Sequence, residues 1–98
     1  MDQQAMEQHA EQHAYAVVRG DMAAVAADLI PALRPQLPEV GKILPQPVTS
    51  ADVRRVDARE DHTIVEIEYS GSDKAVTLRS RWEDRDGGPL IVEVGPVE

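Results

Sequence analysis

Few residues in this chain can do chemistry, and they are densest in the tandem Glu7-Gln-His-Ala-Glu-Gln-His-Ala14, which sets His9 and His13 four positions apart. On a helix that spacing puts both imidazoles on one face, where two such side chains can share a metal ion. The zinc-protease pattern places a glutamate directly after the first histidine. Here Glu11 follows His9 by two positions and points roughly 200° away, at about 100° per residue. No third ligand accompanies the pair, so neither a metal nor any other cofactor is expected. His13 falls on the apolar helix face and should meet the core or a pocket, where it is a candidate acid or base. Asp84 shares the inward parity of a strand but stands at its turn, so it reads either as a turn residue or as an acid on a pocket rim. His13 and Asp84 are the only catalytic candidates the sequence offers.

The binding candidates are mainly aromatic. Tyr15, Tyr69 and Trp82 are the only tyrosines and tryptophan. Parity points Tyr69 and Trp82 inward, either to pack the core or to line a cavity, and each has a polar tip that wants a partner when buried. Arg54 is also expected inward, where an unpaired charge is costly, so it reaches the rim or anchors an anionic ligand. With His13 and Tyr15 these residues form the expected ligand-binding set. Arg19-Gly20-Asp21 looks like an adhesion tripeptide, but its position between two helical patterns makes it a corner.

Three segments must position these side chains. Residues 1–34 carry helical spacing: Met6, Ala10, His13 and Val17 share a face with Ala14 and Val18, and Met22, Val25, Ala26, Leu29, Ile30 and Leu33 repeat after the corner. Gly20 can take the left-handed conformation that ends a helix, and Asp21 can cap the next one. Residues 35–50 are a proline-rich connection in which at most one helical turn, around Glu39 to Leu44, is expected. Residues 51–98 alternate with period two, and a weak strand at Val53–Ala58 precedes Thr63–Tyr69, Ala75–Glu83 and Leu90–Val94. The expectation is an α+β fold, with an N-terminal helical hairpin packed on a curved antiparallel sheet of about four strands in a single domain.

Parity assigns Val56, Val65, Ile67, Tyr69, Val76, Leu78, Trp82, Leu90, Val92 and Val94 to the helix side, with Thr63 and Ser80 and no carboxylate inside a strand. Arg55, Glu66, Arg79 and Glu93 fall on the outer face, with Ile64, Ile91 and Asp57. If the turns pair Tyr69 with Val76 and Trp82 with Leu90, Arg55 meets Glu66, Glu66 meets Arg79, and Arg79 meets Glu93. Each exposed pair is worth only about 0.2–1 kcal/mol, but the alternation pins register. The face reads as solvated or as a homodimer surface.

The 98 residues suffice for one small core. Lysine and arginine total 10 against 18 acidic residues, a net charge of −8, and phenylalanine is absent. Such a surface repels phosphate and offers few stacking platforms, so neither nucleic acid nor an anionic membrane is an expected partner. Without cysteine there is no disulfide or thiolate site. The polar, acidic start is no signal peptide, and a cytoplasmic location is expected.

Three stretches, Ala14–Pro31, Val65–Tyr69 and Arg81–Val92, resemble the nuclear transport factor 2-like, or SnoaL-like, superfamily over about three quarters of the chain. The resemblance implies a cone in which an antiparallel sheet curls around N-terminal helices. Members include ketosteroid isomerases, polyketide cyclases, dehydratases, epoxide hydrolases and binding proteins without chemistry. This chain looks shortened, because prolines replace the helix and the strand that supplies a catalytic carboxylate. The steroid isomerases' tyrosine, seven residues before the corner glycine, is matched by His13, and Tyr15 is two residues out of register. The expected function is therefore a non-catalytic binding or accessory domain with a pocket for a small apolar molecule. The alternatives are an acid-base enzyme of the cyclase or isomerase type and a protein-protein interaction module.

Overall fold

The polar start of the chain becomes a helix because Asp2 caps it, its carboxylate accepting the Ala5 N–H at 2.8 Å. In the computed structural model, which describes residues 1–85 and 87–97, this helix α1 runs Gln3–Arg19. Gly20 ends it with φ 72°, the Gly20 N–H donating to Val17 O and the Asp21 N–H to Ala16 O. The Asp21 side chain then accepts from Ala24 N and opens α2, Met22–Ala27. Two residues thus turn the chain, as the sequence suggests.

The proline-rich connection is more helical than expected. A 3₁₀ turn at Pro31–Gln36 leads into α3, Leu37–Ile43. Pro31 and Pro38 stand in the first turns of these pieces, where the N–H they lack would have had no intrahelical acceptor.

The sheet is a four-stranded antiparallel meander, β1 Ser50–Ala58, β2 Thr63–Ser70, β3 Ala75–Arg85 and β4 Gly88–Pro96, in the order β1-β2-β3-β4. The fold is α+β. Its core joins Met6, Ala10 and Ala14 of α1 to Leu29 and to the inward residues Val65, Ile67, Tyr69, Leu78, Trp82 and Ile91. Trp82 is fully buried, and its indole N–H donates to Ser80 Oγ at 3.0 Å.

Two one-residue slips in register correct the parity read from sequence. On β1, Val53 faces Ile67 and Arg55 faces Glu66, so Arg54 is the extra residue. It is carried to the outer side, where it binds Glu68 at 2.7 Å, and not inward. On β4, Arg81 faces Glu93 while Trp82 faces Ile91, so Val92 is extra and Leu90 faces Glu83. Ile91 is therefore inside at 1% exposure, and Leu90 and Val92 are only half-buried. Arg79 consequently meets Gly95, and Glu93 belongs to Arg81.

The first edge of the connection is sealed to the sheet. Ile91 N–H donates to Asp28 O at 2.7 Å and Ile30 N–H to Ile91 O at 3.1 Å, a short parallel bridge through Leu29. At its other end, buried Pro45 sits against Gly71 so closely that a Cβ there would lie 2.5 Å from Pro45 Cβ and 2.7 Å from Pro47 O. Gly71→Ala should therefore cost about 1–3 kcal/mol in urea unfolding, because the strap must shift. Gly88→Ala, which meets open space, should stay within about 0.5 kcal/mol. Equal effects from the two would show that the strap does not need the close approach.

Candidate functional site

The helical hairpin, the proline-rich strap and the sheet do not close completely on one another. Between them lies a cavity of about 460 Å³, inside the roughly 300–1,000 Å³ typical of small-molecule sites. Val17 and Val18 of α1, Met22 and Val25 of α2, and Leu29 supply one side. Leu37, Val40 and Leu44 with Pro45 to Val48 form the strap side, and Tyr69, Leu78, Ile91 and Val94 rise from the sheet. His13 stands in the same wall.

His13 is 9% exposed, and its Nδ1 lies 2.7 Å from Asp28 Oδ2. A carboxylate only accepts, so Nδ1 carries the proton and Nε2 of the neutral ring keeps a lone pair. The imidazole also meets Trp82 edge to face, with ring centroids 5.7 Å apart at 89°. Carboxylate and indole together fix the orientation of the ring.

Tyr69 is 2% exposed, and burial pushes its phenol well above the ordinary tyrosine value, so it stays an O–H group. Neither its hydroxyl nor His13 Nε2 has a protein hydrogen-bond partner among the described residues. Since no fully buried side-chain nitrogen or oxygen there lacks a partner, both atoms must touch accessible space. The cavity is the space that both residues line.

The other candidates lie elsewhere. Trp82 is packed behind His13 and does not line the cavity. Tyr15 is 62% exposed on the opposite side of α1, with the Arg19 guanidinium 4.7 Å from its ring centroid. Arg54 lies on the outer sheet face, and Asp84 is exposed opposite Pro89 at the end of the β3-β4 hairpin. His9 reaches the Trp82 ring at 6.4 Å, and no metal-holding group of three side chains occurs among the described residues.

Outside, charges pair with one another. Glu66 accepts from Arg79 at 2.8 Å and from Arg55 at 3.5 Å, and the Arg59 and Arg55 guanidiniums hold the Asp57 carboxyl below its ordinary range. Arg85 and Arg81 do the same to Glu83. Ion pairing satisfies these side chains within the sheet.

Asp28 is absent from the residues that sequence alone singles out, although a signal exists. His13 lies seven residues before Gly20 and Asp28 seven after Asp21, so a two-residue corner folds them onto each other. No protein-family model, curated protein or solved structure matches this chain. Its function has to be argued from the cavity itself.

Two measurements check this chemistry. In mildly alkaline solution, long-range ¹H–¹⁵N spectra should show His13 with Nε2 unprotonated, and Asp28→Asn should produce a tautomer mixture; an Nε2–H ring in the unaltered protein would contradict the pairing. Native Tyr69 favours the neutral phenol, so its stabilisation is complete below the ordinary tyrosine pKa of about 10 and is lost as pH climbs beyond it. Urea midpoints should therefore fall more steeply above about pH 10 in the unaltered protein than in Tyr69→Phe, and parallel slopes would contradict that burial.

Proposed function

We propose that this protein is a non-catalytic binding domain that takes a compact, largely apolar molecule between its helices and its sheet. One observation carries the reading: a 460 Å³ cavity remains where the inward side chains would otherwise interlock. Protein interiors ordinarily pack to crystal density, so an apolar space of this size favours a resident guest. Met22, Val25 and Leu29 wall the space instead of filling it.

A second reading has its own support, the 2.7 Å His13–Asp28 pair in the cavity wall. A histidine oriented by a carboxylate can move a proton at carbon, as an enzyme of the cyclase or isomerase type requires. Asp84 adds nothing to it, being exposed and outside the cavity wall.

Nile red fluorescence tests the leading proposal, with the dye expected to bind and brighten at micromolar concentration. Val40→Trp should weaken this binding at least tenfold, or about 1.4 kcal/mol, while unfolding stays cooperative. No binding, or binding indifferent to Val40→Trp, would overturn the cavity as the site. Incubation of 2-tetralone with the protein in D₂O separates the two readings. A binding domain leaves exchange beside the carbonyl at the buffer rate, whereas acceleration abolished by His13→Gln would establish the enzyme.

A further inference from the structure

The cavity wall is selective in its polar groups, and that selectivity narrows the guest. The chain carries 18 acidic residues, yet among the described residues none that lines this cavity is an aspartate or glutamate. An organic cation would find no counter-charge there, and burying it unpaired is costly. An organic anion fares little better. Among the described residues Arg19 is the one arginine or lysine in the wall, and its guanidinium is already held 3.3 Å from Asp21 Oδ2 and stacked on exposed Tyr15. The wall therefore disfavours full charge of either sign.

Exposed Gln46 at the wall gives its amide N–H to Gly41 O at 2.7 Å, and the buried polar side chains of the wall, Tyr69 and His13, offer one donor and one acceptor. The Tyr69 hydroxyl is a neutral O–H in a residue almost completely buried, with no protein partner among the described residues. When its ring is neutral, His13 gives its Nδ1–H to Asp28, which leaves Nε2 as an acceptor. A polar group pressed against an apolar guest loses its hydration and gains no partner, so a pure hydrocarbon would leave both groups dry and unpartnered. A hydroxyl is the smallest neutral group that both donates and accepts, and it can answer either residue or both.

Resting on the binding role proposed above, we infer that the guest is a neutral hydroxylated hydrocarbon, a phenol or an alcohol, whose hydroxyl donates to His13 Nε2 or accepts from the Tyr69 hydroxyl. The apolar body of such a molecule lies against the valines and leucines of α1, α2 and α3. Its hydroxyl lies toward the His13 and Tyr69 side of the wall. The charge-poor wall then explains how a strongly acidic chain keeps a site that does not gather cations.

Isothermal titration with 2-naphthol, naphthalene, 2-naphthoate and 2-naphthylmethylammonium tests the inference at neutral pH on the intact chain. 2-Naphthol should bind at least tenfold more tightly than each of the other three. A further probe, 2-methoxynaphthalene, keeps the acceptor oxygen but has no donor and should fall between naphthol and naphthalene. In Tyr69→Phe, which preserves the ring, the preference for naphthol over naphthalene should shrink severalfold while naphthalene affinity changes little. Equal or tighter binding of naphthalene, the carboxylate or the ammonium would overturn the hydroxyl reading and leave the cavity as a binding site. Failure of all the probes to bind would overturn the binding role itself, and the inference with it.

Discussion

The backbone hydrogen bonds that join Asp28 and Ile30 to Ile91 set where the helical hairpin sits on the sheet. They fasten the end of α2 to the edge strand, and the same Asp28 sends its side chain back to His13 on α1. One residue thus ties two helices and a strand together, and His13 in turn rests on Trp82, the largest fully buried side chain. The helices are held at one side of the sheet by these bonds and at the other by α1 packing on β1 and β2. The cavity occupies the remaining space, bounded by the short helices and the Pro45–Val48 strap.

Local signals carried much of this arrangement. The Gly20-Asp21 corner is legible because a glycine free to take positive φ and a capping aspartate leave little alternative there. The pairing of Glu66 with Arg79 and of Tyr69 with Val76 follows from the Ser70-Gly-Ser-Asp73 turn between two strongly alternating strands. Register went astray where one extra residue is absorbed without a marker in the sequence. Neither Arg54 nor Val92 is a glycine, and period-two counting has no means of seeing a slip. Each slip inverts everything beyond it, which is why Ile91 lies in the core and Arg54 lies outside.

The site was legible in halves. His13 and Tyr69 follow from apolar periodicity, since each sits on the inward stripe of its element. Asp28 was hidden because nothing local distinguishes it from an ordinary helix-ending aspartate, and only the symmetry of the hairpin brings it to His13. Trp82 reads as a pocket residue by parity, but depth in the core depends on what covers it, and α1 covers it with His9 and His13. In sequence the strap looks irregular because prolines forbid a long helix. They do not forbid two short ones that carry proline in their first turn.

A histidine bonded to a carboxylate beside a cavity invites a catalytic reading, but the same pair serves recognition with no further group. Acid-base chemistry at carbon needs the base plus something that stabilises the charge developing on the substrate. Among the described residues of this wall the buried polar tip left for that task is the Tyr69 hydroxyl, a neutral donor whose own ionisation burial opposes. Such a group can hold a hydroxyl or carbonyl in place. The charge-laden outer face thus stands against a cavity wall that holds no carboxylate among the described residues, so whatever the His13–Asp28 pair does there it does without a second acid in the wall.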